Sequence, residues 1–290
     1  MIRRLLLSWV LLAACAVAAA AAAPRVALVT VLDGDATLLR DATELALAEG
    51  VGLQAGDILV TGPRTRLLRI EYPSGLAIAF GPDSRALLEP RLTGADAPVA
   101  PVYLLAGWAK LNAPKGQAAA LAGPAIVVST TGGAAVVHWQ PGSTMVFAET
   151  GQLQLQPRAA AGVPATLPAG QMLTLAAAGT KPELSPRPTP AFVQAMPRPF
   201  MDSLPSRAAA FQDKDVTARS LGPLAYADAQ PWLDAEPALR KAFVKRWRTL
   251  AHDTEFRRGL VAGLKSHPEW EPVLYPPPPP VLVRRPAASY

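Results

Sequence analysis

Between residues 26 and 177, apolar and polar positions alternate with a period of two, in short runs broken by Gly and Pro. Leu68, Ile70 and Tyr72 alternate with Arg69 and Glu71, and Leu76, Ile78 and Phe80 alternate with Ala77 and Ala79. Met145 and Phe147 follow the same pattern, as do Leu153 and Leu155 between Gln152, Gln154 and Gln156. This is the periodicity of half-buried strands. Tyr72-Pro73-Ser74-Gly75 and Gln140-Pro141-Gly142-Ser143 read as hairpin turns, because Pro presets φ and Gly tolerates its positive values. Runs of about five residues between turns spaced by roughly 8–12 predict a mainly β domain over 25–180, built as a jelly roll, a sandwich or a short β-solenoid.

The segment 58–87 lines up with 126–155, with Pro73 over Pro141. The alternation prefers a slip of one residue, with Leu76 onto Met145 and Ile78 onto Phe147. Such a slip exchanges the two faces of a strand. The pattern is therefore either a duplicated strand–turn–strand unit or a coincidence among hairpins.

Residues 181–205 carry seven prolines, from Pro182 to Pro205. That density predicts an extended linker hugging the β domain through Phe192, Met196 and Phe200. Over 206–272 the period becomes helical. Leu239, Phe243, Trp247 and Leu250 form one stripe, and Phe256, Leu260 and Leu264 form the next. Asp234 is the expected N-cap of the first helix, with Pro237 in its first turn. Asp253 is the expected N-cap of the second, and together they predict an αα-hairpin over 235–267. Trp232 and Trp270 flank the pair and are placed to staple it to a neighbour. Residues 273–290, with Pro276–Pro280, read as a Pro-rich disordered tail.

The N-terminus changes the compartment. Met1-Ile2-Arg3-Arg4, the apolar run Leu5–Leu12 and Ala21-Ala22-Ala23 before Pro24 have the layout of a signal peptide over 1–23. Leu12-Ala13-Ala14-Cys15 also resembles a lipobox, with a signal over 1–14 and Cys15 as the candidate lipidated residue. A third reading retains the apolar run, whose length approaches the ~20 residues that span a bilayer. The expected location is the periplasm of a Gram-negative bacterium, with outer-membrane anchoring in the lipoprotein reading. Cys15 is the one cysteine of the chain, so no intrachain disulfide supports the fold.

Charge adds little. Lys/Arg and Asp/Glu balance at 11 each over 24–181, while 13 face 9 over 206–290. This mild, mixed excess argues against nucleic acid as a partner. The basic helix positions 240–248 read as an ordinary solvated face, ahead of a surface for anionic lipid or peptidoglycan. Catalytic chemistry has little support. His138, His252 and His267 stand apart from Cys, Asp and Glu at any ligand spacing, so no metal and no cofactor are expected. Ser129-Thr130-Thr131-Gly132-Gly133 reads as a strand-to-turn transition before an anion nest. Asp33, Asp35, Asp57 and Asp83 adjoin Gly or Pro and read as turn formers. Glu71 and Glu149 are the acidic pair on strands that a glycoside-cleaving enzyme would need close together.

Several motifs together resemble a FecR-type domain. They are Val31-Leu32-Asp33-Gly34-Asp35-Ala36, Leu53-Gln54-Ala55-Gly56-Asp57-Ile58-Leu59-Val60-Thr61-Gly62, Ser74-Gly75-Leu76-Ala77-Ile78 with Pro82-Asp83-Ser84, Ser129–Ala134, Glu149–Leu153 and Leu167–Gln171. Within the most specific element, Gly56 and Asp57 shape a turn, and Thr61 and Gly62 end the strand that follows. The resemblance covers about half the chain. It implies an all-β periplasmic domain that binds protein. FecR regulators also act on a sigma factor through a cytoplasmic N-terminal segment. Only Met1–Arg4 precede the apolar run here, so that role is not expected. The expectation is an exported, non-enzymatic binding or scaffolding module whose partner is an envelope protein, linked to envelope signalling. A peptidoglycan- or polysaccharide-associated structural protein is the alternative. Contact with the membrane is expected only through a lipid anchor or an uncleaved signal.

Overall fold

The computed structural model describes residues 24–90, 100–158, 163–176 and 182–277. The signal, Cys15 and all but the start of the Pro-rich tail lie outside them. Among the described residues, sixteen strands precede the first helix and one follows it: β1 Arg25–Asp33, β2 Ala36–Arg40, β3 Thr43–Ala46, β4 Gly52–Gln54, β5 Ile58–Thr61, β6 Leu67–Glu71, β7 Ala77–Phe80, β8 Arg85–Leu88, β9 Val102–Ala113, β10 Ala119–Ala122, β11 Ile126–Thr130, β12 Gly133–Gln140, β13 Ser143–Pro157, β14 Ala165–Pro168, β15 Met172–Ala176, β16 Glu183–Ser185 and, after that helix, β17 Arg219–Pro223. The helices are α1 Pro190–Ala195, α2 Tyr226–Leu233, α3 Pro237–Trp247, α4 Thr254–Ala262 and α5 Glu271–Leu274.

The strands build two sheets. Sheet A runs β4-β1-β6-β7-β9-β12-β13-β15-β16, antiparallel throughout. Sheet B runs β17-β3-β2-β5-β8-β9-β10-β11-β13-β14, with β9–β10 as its parallel pair. Strands β9 and β13 belong to both, so the mainly β fold is a sandwich whose sheets share two long strands. Strand β9 changes sheet at Gly107, where φ is +95° and an added Cβ would stand 2.4 Å from Ser84 Cα. Only glycine fits such a bend. The Ser84 hydroxyl secures it by accepting from Trp108 N and donating to Trp108 O, both at 2.9 Å.

The internal repeat is real in its pairing. Strand β5 pairs β8 in sheet B while β6 pairs β7 in sheet A. In the same way β11 pairs the second half of β13 in sheet B, and β12 pairs its first half in sheet A. The register corrects the expected slip. Ile78 and Phe80 share the inter-sheet core with Val146 and Ala148, whereas Met145 and Phe147 point to the outer face. A two-sided strand misleads a period-2 reading, because both of its faces are apolar. Leu153 and Leu155 do face the core, with Gln152, Gln154 and Gln156 exposed.

Both sheets carry a further layer. The Pro-rich segment is not simply extended. It contributes β16, the helix α1 and a 3-10 turn over Arg198–Met201. Thr189 caps α1 by accepting from Phe192 N at 3.2 Å, and Pro190 occupies the first turn, where its missing N–H costs nothing. Phe192 and Phe200 then pack on the outer face of sheet A with Trp108, Val136 and Met172. Part of the outer face of sheet B is covered by α2 to α5. Their Trp232, Phe243, Trp247, Leu260 and Trp270 share one core with Leu39, Ile58, Leu87, Tyr103 and Val127 of the sheet.

Two details of the C-terminal region differ from expectation. Residues 219–223 form an edge strand, β17, paired with β3. Asp234 closes α2 and does not start α3, because Glu236 followed by Pro237 takes the N-cap position. Trp232 and Trp270 flank α3 and α4 in the chain as expected, and both are fully buried in the core that joins the helices to sheet B. Asp253 does cap α4, accepting from Phe256 N at 2.8 Å.

His138 lies under α1, its ring stacked on Trp108 at 3.8 Å between centroids, and is 6% exposed. Burial pushes its pKa down to about 4. A folded value below the unfolded one means that the unfolded chain takes up the proton first. Stability from this site is complete above about pH 6.5 and falls as the pH drops toward 4, by about 2 kcal/mol after allowing for solvent at the open ring edge. Urea denaturation at pH 7 and pH 4.5 is expected to show this loss in the parent chain and a smaller one in His138→Gln. Equal losses would assign the effect to other groups.

Candidate functional site

The residues of the family-like motif stand where sheet B meets the helical layer. Gly56, with φ +84°, completes the turn in which Asp57 N donates to Gln54 O at 3.1 Å. The Asp57 carboxylate is 2% exposed. It accepts from Gln54 N at 2.8 Å and from Arg40 Nε and Nη2 at 2.9 and 2.5 Å. That two-pronged contact is the strong form of a carboxylate–guanidinium pair and raises the Arg40 pKa. From α3, Arg246 reaches the same turn and donates to Gly56 O, and also to Leu39 O at 3.1 Å. Burial lowers the pKa of Arg246. Trp247 Nε1 donates to Asp41 O at 2.7 Å. Gly56 and Asp57 therefore serve as a seat for α3. Thr61 donates to Gly81 O at 2.6 Å and accepts from Ser84 N at 2.8 Å, tying β5 to the bend of β9. Gly62 N donates to Thr65 Oγ1 at 3.1 Å.

The strand carboxylates are held separately. Glu71 pairs with Arg69 at 3.6 Å and accepts from the Ser206 hydroxyl and from Arg207 N at 3.1 Å. These hydrogen bonds outweigh its burial and hold its pKa below the usual value; burial alone, the largest contribution, would raise it. Glu149 instead pairs with Lys110 at 2.7 Å, and that ammonium also donates to Phe200 O at 2.5 Å. Each carboxylate has its own cation and fastens a different stretch of the outer layer on sheet A. Across sheet A, Glu71 on β6 and Glu149 on β13 are separated by β7, β9 and β12, so they are not the close pair that glycoside cleavage uses. Buried His267 sits 3.3 Å from Asp234 Oδ1 and links α2 to the end of the helical layer. Among the described residues no group of three His, Cys, Asp or Glu side chains is placed to hold a metal ion.

Among the described residues, one part of sheet B is left uncovered. Ser129 of β11, Gln154 of β13 and Thr166 of β14 are neighbours in register across it, and the Thr166 hydroxyl donates to Gln154 Oε1 at 3.0 Å. Thr131, Gln152, Gln154, Gln156 and Thr166 are exposed. A hollow of about 390 Å³ lies here, bordered by Ala119, Ser129, Thr131, Gln152 and Gln154, and among the described residues no charged side chain lines it. Thr130 lies beneath, its hydroxyl donating to Gly132 O and Gln152 O at 3.0 Å. The 129–133 segment is thus a strand end closing into a turn. The result is a field of amides and hydroxyls around a hollow, suited to hydrogen-bonding a neutral polar partner.

Sequence reasoning missed Arg40, Lys110 and Arg246. The available signal was a cation next to an apolar stripe, as in Arg246 beside Phe243 and Trp247, which marks a side chain whose stem is buried. No family model matches the chain, and no curated protein matches it. Among solved structures, two crystal structures of a candidate anti-sigma factor from Parabacteroides distasonis are similar to it. One is 13% identical with a TM-score of 0.36, covering 44% of this chain and 58% of that one. The other is 14% identical with a TM-score of 0.37, covering 47% and 63%. The chain spans less than two thirds of either.

Proposed function

We propose that the chain is an exported, non-enzymatic binding module of the FecR type. In this reading it serves in the periplasm of a Gram-negative bacterium and recognises an envelope protein, with a link to envelope signalling. The observation that carries the reading is the uncharged amide-and-hydroxyl field at Ser129, Gln154 and Thr166, left open among the described residues while Leu39, Ile58, Leu87, Tyr103 and Val127 of sheet B and part of sheet A are covered by the chain itself. The engagement of Glu71, Glu149 and Asp57 in structural hydrogen bonds supports a role without catalysis. Sequence-like motif residues act as the frame, and the open field acts as the contact. The absence of charge in the field also favours a second reading, in which the partner is the glycan of the cell wall.

Gln154→Arg places a charge and a long side chain in the middle of the field without touching the core. Pull-down from envelope extracts is expected to recover a discrete protein with the parent chain, and about tenfold less with Gln154→Arg. Equal recovery would remove the field as the contact. Retention of the parent chain, but not the variant, on purified peptidoglycan would select the second reading.

A further inference from the structure

At one end of the sandwich a hollow of about 420 Å³ lies among strands of both sheets. Arg85 and Leu105 of β8 and β9 border it from sheet B, Trp139, Thr144 and Leu175 from sheet A, and Pro231 from α2. The size is that of a small-molecule site, and the wall is mostly apolar with a few polar groups, as such sites are. Trp139 borders the hollow as a reporter: it is 2% exposed, and its indole N–H is sealed from solvent without an acceptor among the described residues. The ring edge beside that nitrogen lies against Gly123, where an added Cβ would stand 2.5 Å from Cε2. The residues after Gly123, Pro124 and Ala125, border the same hollow. Arg85 is half-buried at the rim and has no carboxylate partner among the described residues. A lone guanidinium beside an apolar wall is matched by one carboxylate.

We propose that this hollow binds a small anionic amphiphile, an apolar body carrying a single carboxylate. The carboxylate pairs with Arg85, and the body lies along Leu105, Leu175 and Pro231, beside the Trp139 ring. One guanidinium with no second cation in the lining favours a monoanion over a phosphate ester. The site is separate from the open field on sheet B, so its failure leaves the proposed function standing.

The test follows the tryptophan indole N–H resonances of ¹⁵N-labelled protein during titration, with Trp139→Phe identifying the Trp139 signal. The probes are octanoate for an acyl chain, 4-phenylbutyrate for an aromatic body, and octanamide as the uncharged control. Octanoate or phenylbutyrate is expected to shift the Trp139 signal with half-saturation at or below about 1 mM, and the tighter of the two identifies the body. Octanamide is expected to bind about tenfold more weakly, and Arg85→Gln to weaken the carboxylates about tenfold while leaving the Trp232 and Trp270 signals in place. If Trp139→Phe does not fold, calorimetric titration of the parent chain and Arg85→Gln gives the same comparison. No response to either carboxylate at about 10 mM, or equal binding by Arg85→Gln, overturns the proposal.

Discussion

Trp247→Ala is expected to lower the stability of the chain by about 4 kcal/mol. The side chain is fully buried at the centre of the contact between sheet B and the helices. It is stacked on Phe243 at 4.4 Å between centroids, 14° from parallel. Its indole N–H donates to Asp41 O at 2.7 Å, so the ring is fixed from the sheet side as well. Truncation removes the apolar contact and leaves a cavity bounded by β-strands that cannot collapse onto it. Trp247→Phe keeps most of the volume and loses the hydrogen bond, so its cost is expected near 1–2 kcal/mol. Urea denaturation followed by circular dichroism separates the two, with the Ala midpoint well below the Phe midpoint. A loss below about 1 kcal/mol for the Ala variant would mean that the helical layer contributes little to holding the sandwich.

The same contact shows what the sequence made legible. Features set by near neighbours could be read. The turns at Pro73 and Pro141, the core role of Leu153 and Leu155, and the N-cap at Asp253 each depend on residues a few positions apart. Features set by distant packing could not. Arg69 and Glu71 alternate with Leu68 and Ile70 and read as a solvated face, yet both are buried. Their cover is the segment at Pro205–Arg207, some 136 positions along the chain. Arg246 reads as one of several solvated cations on α3, because its acceptor at Gly56 lies 190 positions away. Local rules also competed. Asp234 is a good cap by type, but Glu236-Pro237 starts the helix where Pro can sit without losing a bond. At 181–205 the Pro count concealed Thr189-Pro190, a cap and first-turn pair that begins α1. The candidate site was partly visible: Gln152, Gln154 and Gln156 were read as an outward row. That the row remains open depends on where the helical layer ends, which only long-range packing decides.

Asp57→Ala is expected to cost about 3 kcal/mol, and its coupling to α3 is the informative part. Removing one member of a buried, hydrogen-bonded ion pair strands the other. Here the carboxylate is 2% exposed, while its partner Arg40 keeps 24% of its side chain exposed, which places the expected cost at the lower end of the range for such pairs. The Gln54 N–H also loses its acceptor, and the turn that presents Gly56 O to Arg246 loses its internal tie. Asp57 stands near two guanidinium groups, and its charge offsets their mutual repulsion. The effect should therefore reach the helical layer and not stop at the turn. A double-mutant cycle with Arg246→Met measures this directly. If the motif turn is the seat of α3, the coupling energy is expected at about 1 kcal/mol or more. Losses that add to within about 0.5 kcal/mol would show that Asp57 shapes its turn without seating the helix. Asp57→Asn preserves the shape and one acceptor oxygen. Its loss is expected to fall below that of Asp57→Ala, with the difference giving the share carried by packing and hydrogen bonding rather than by charge.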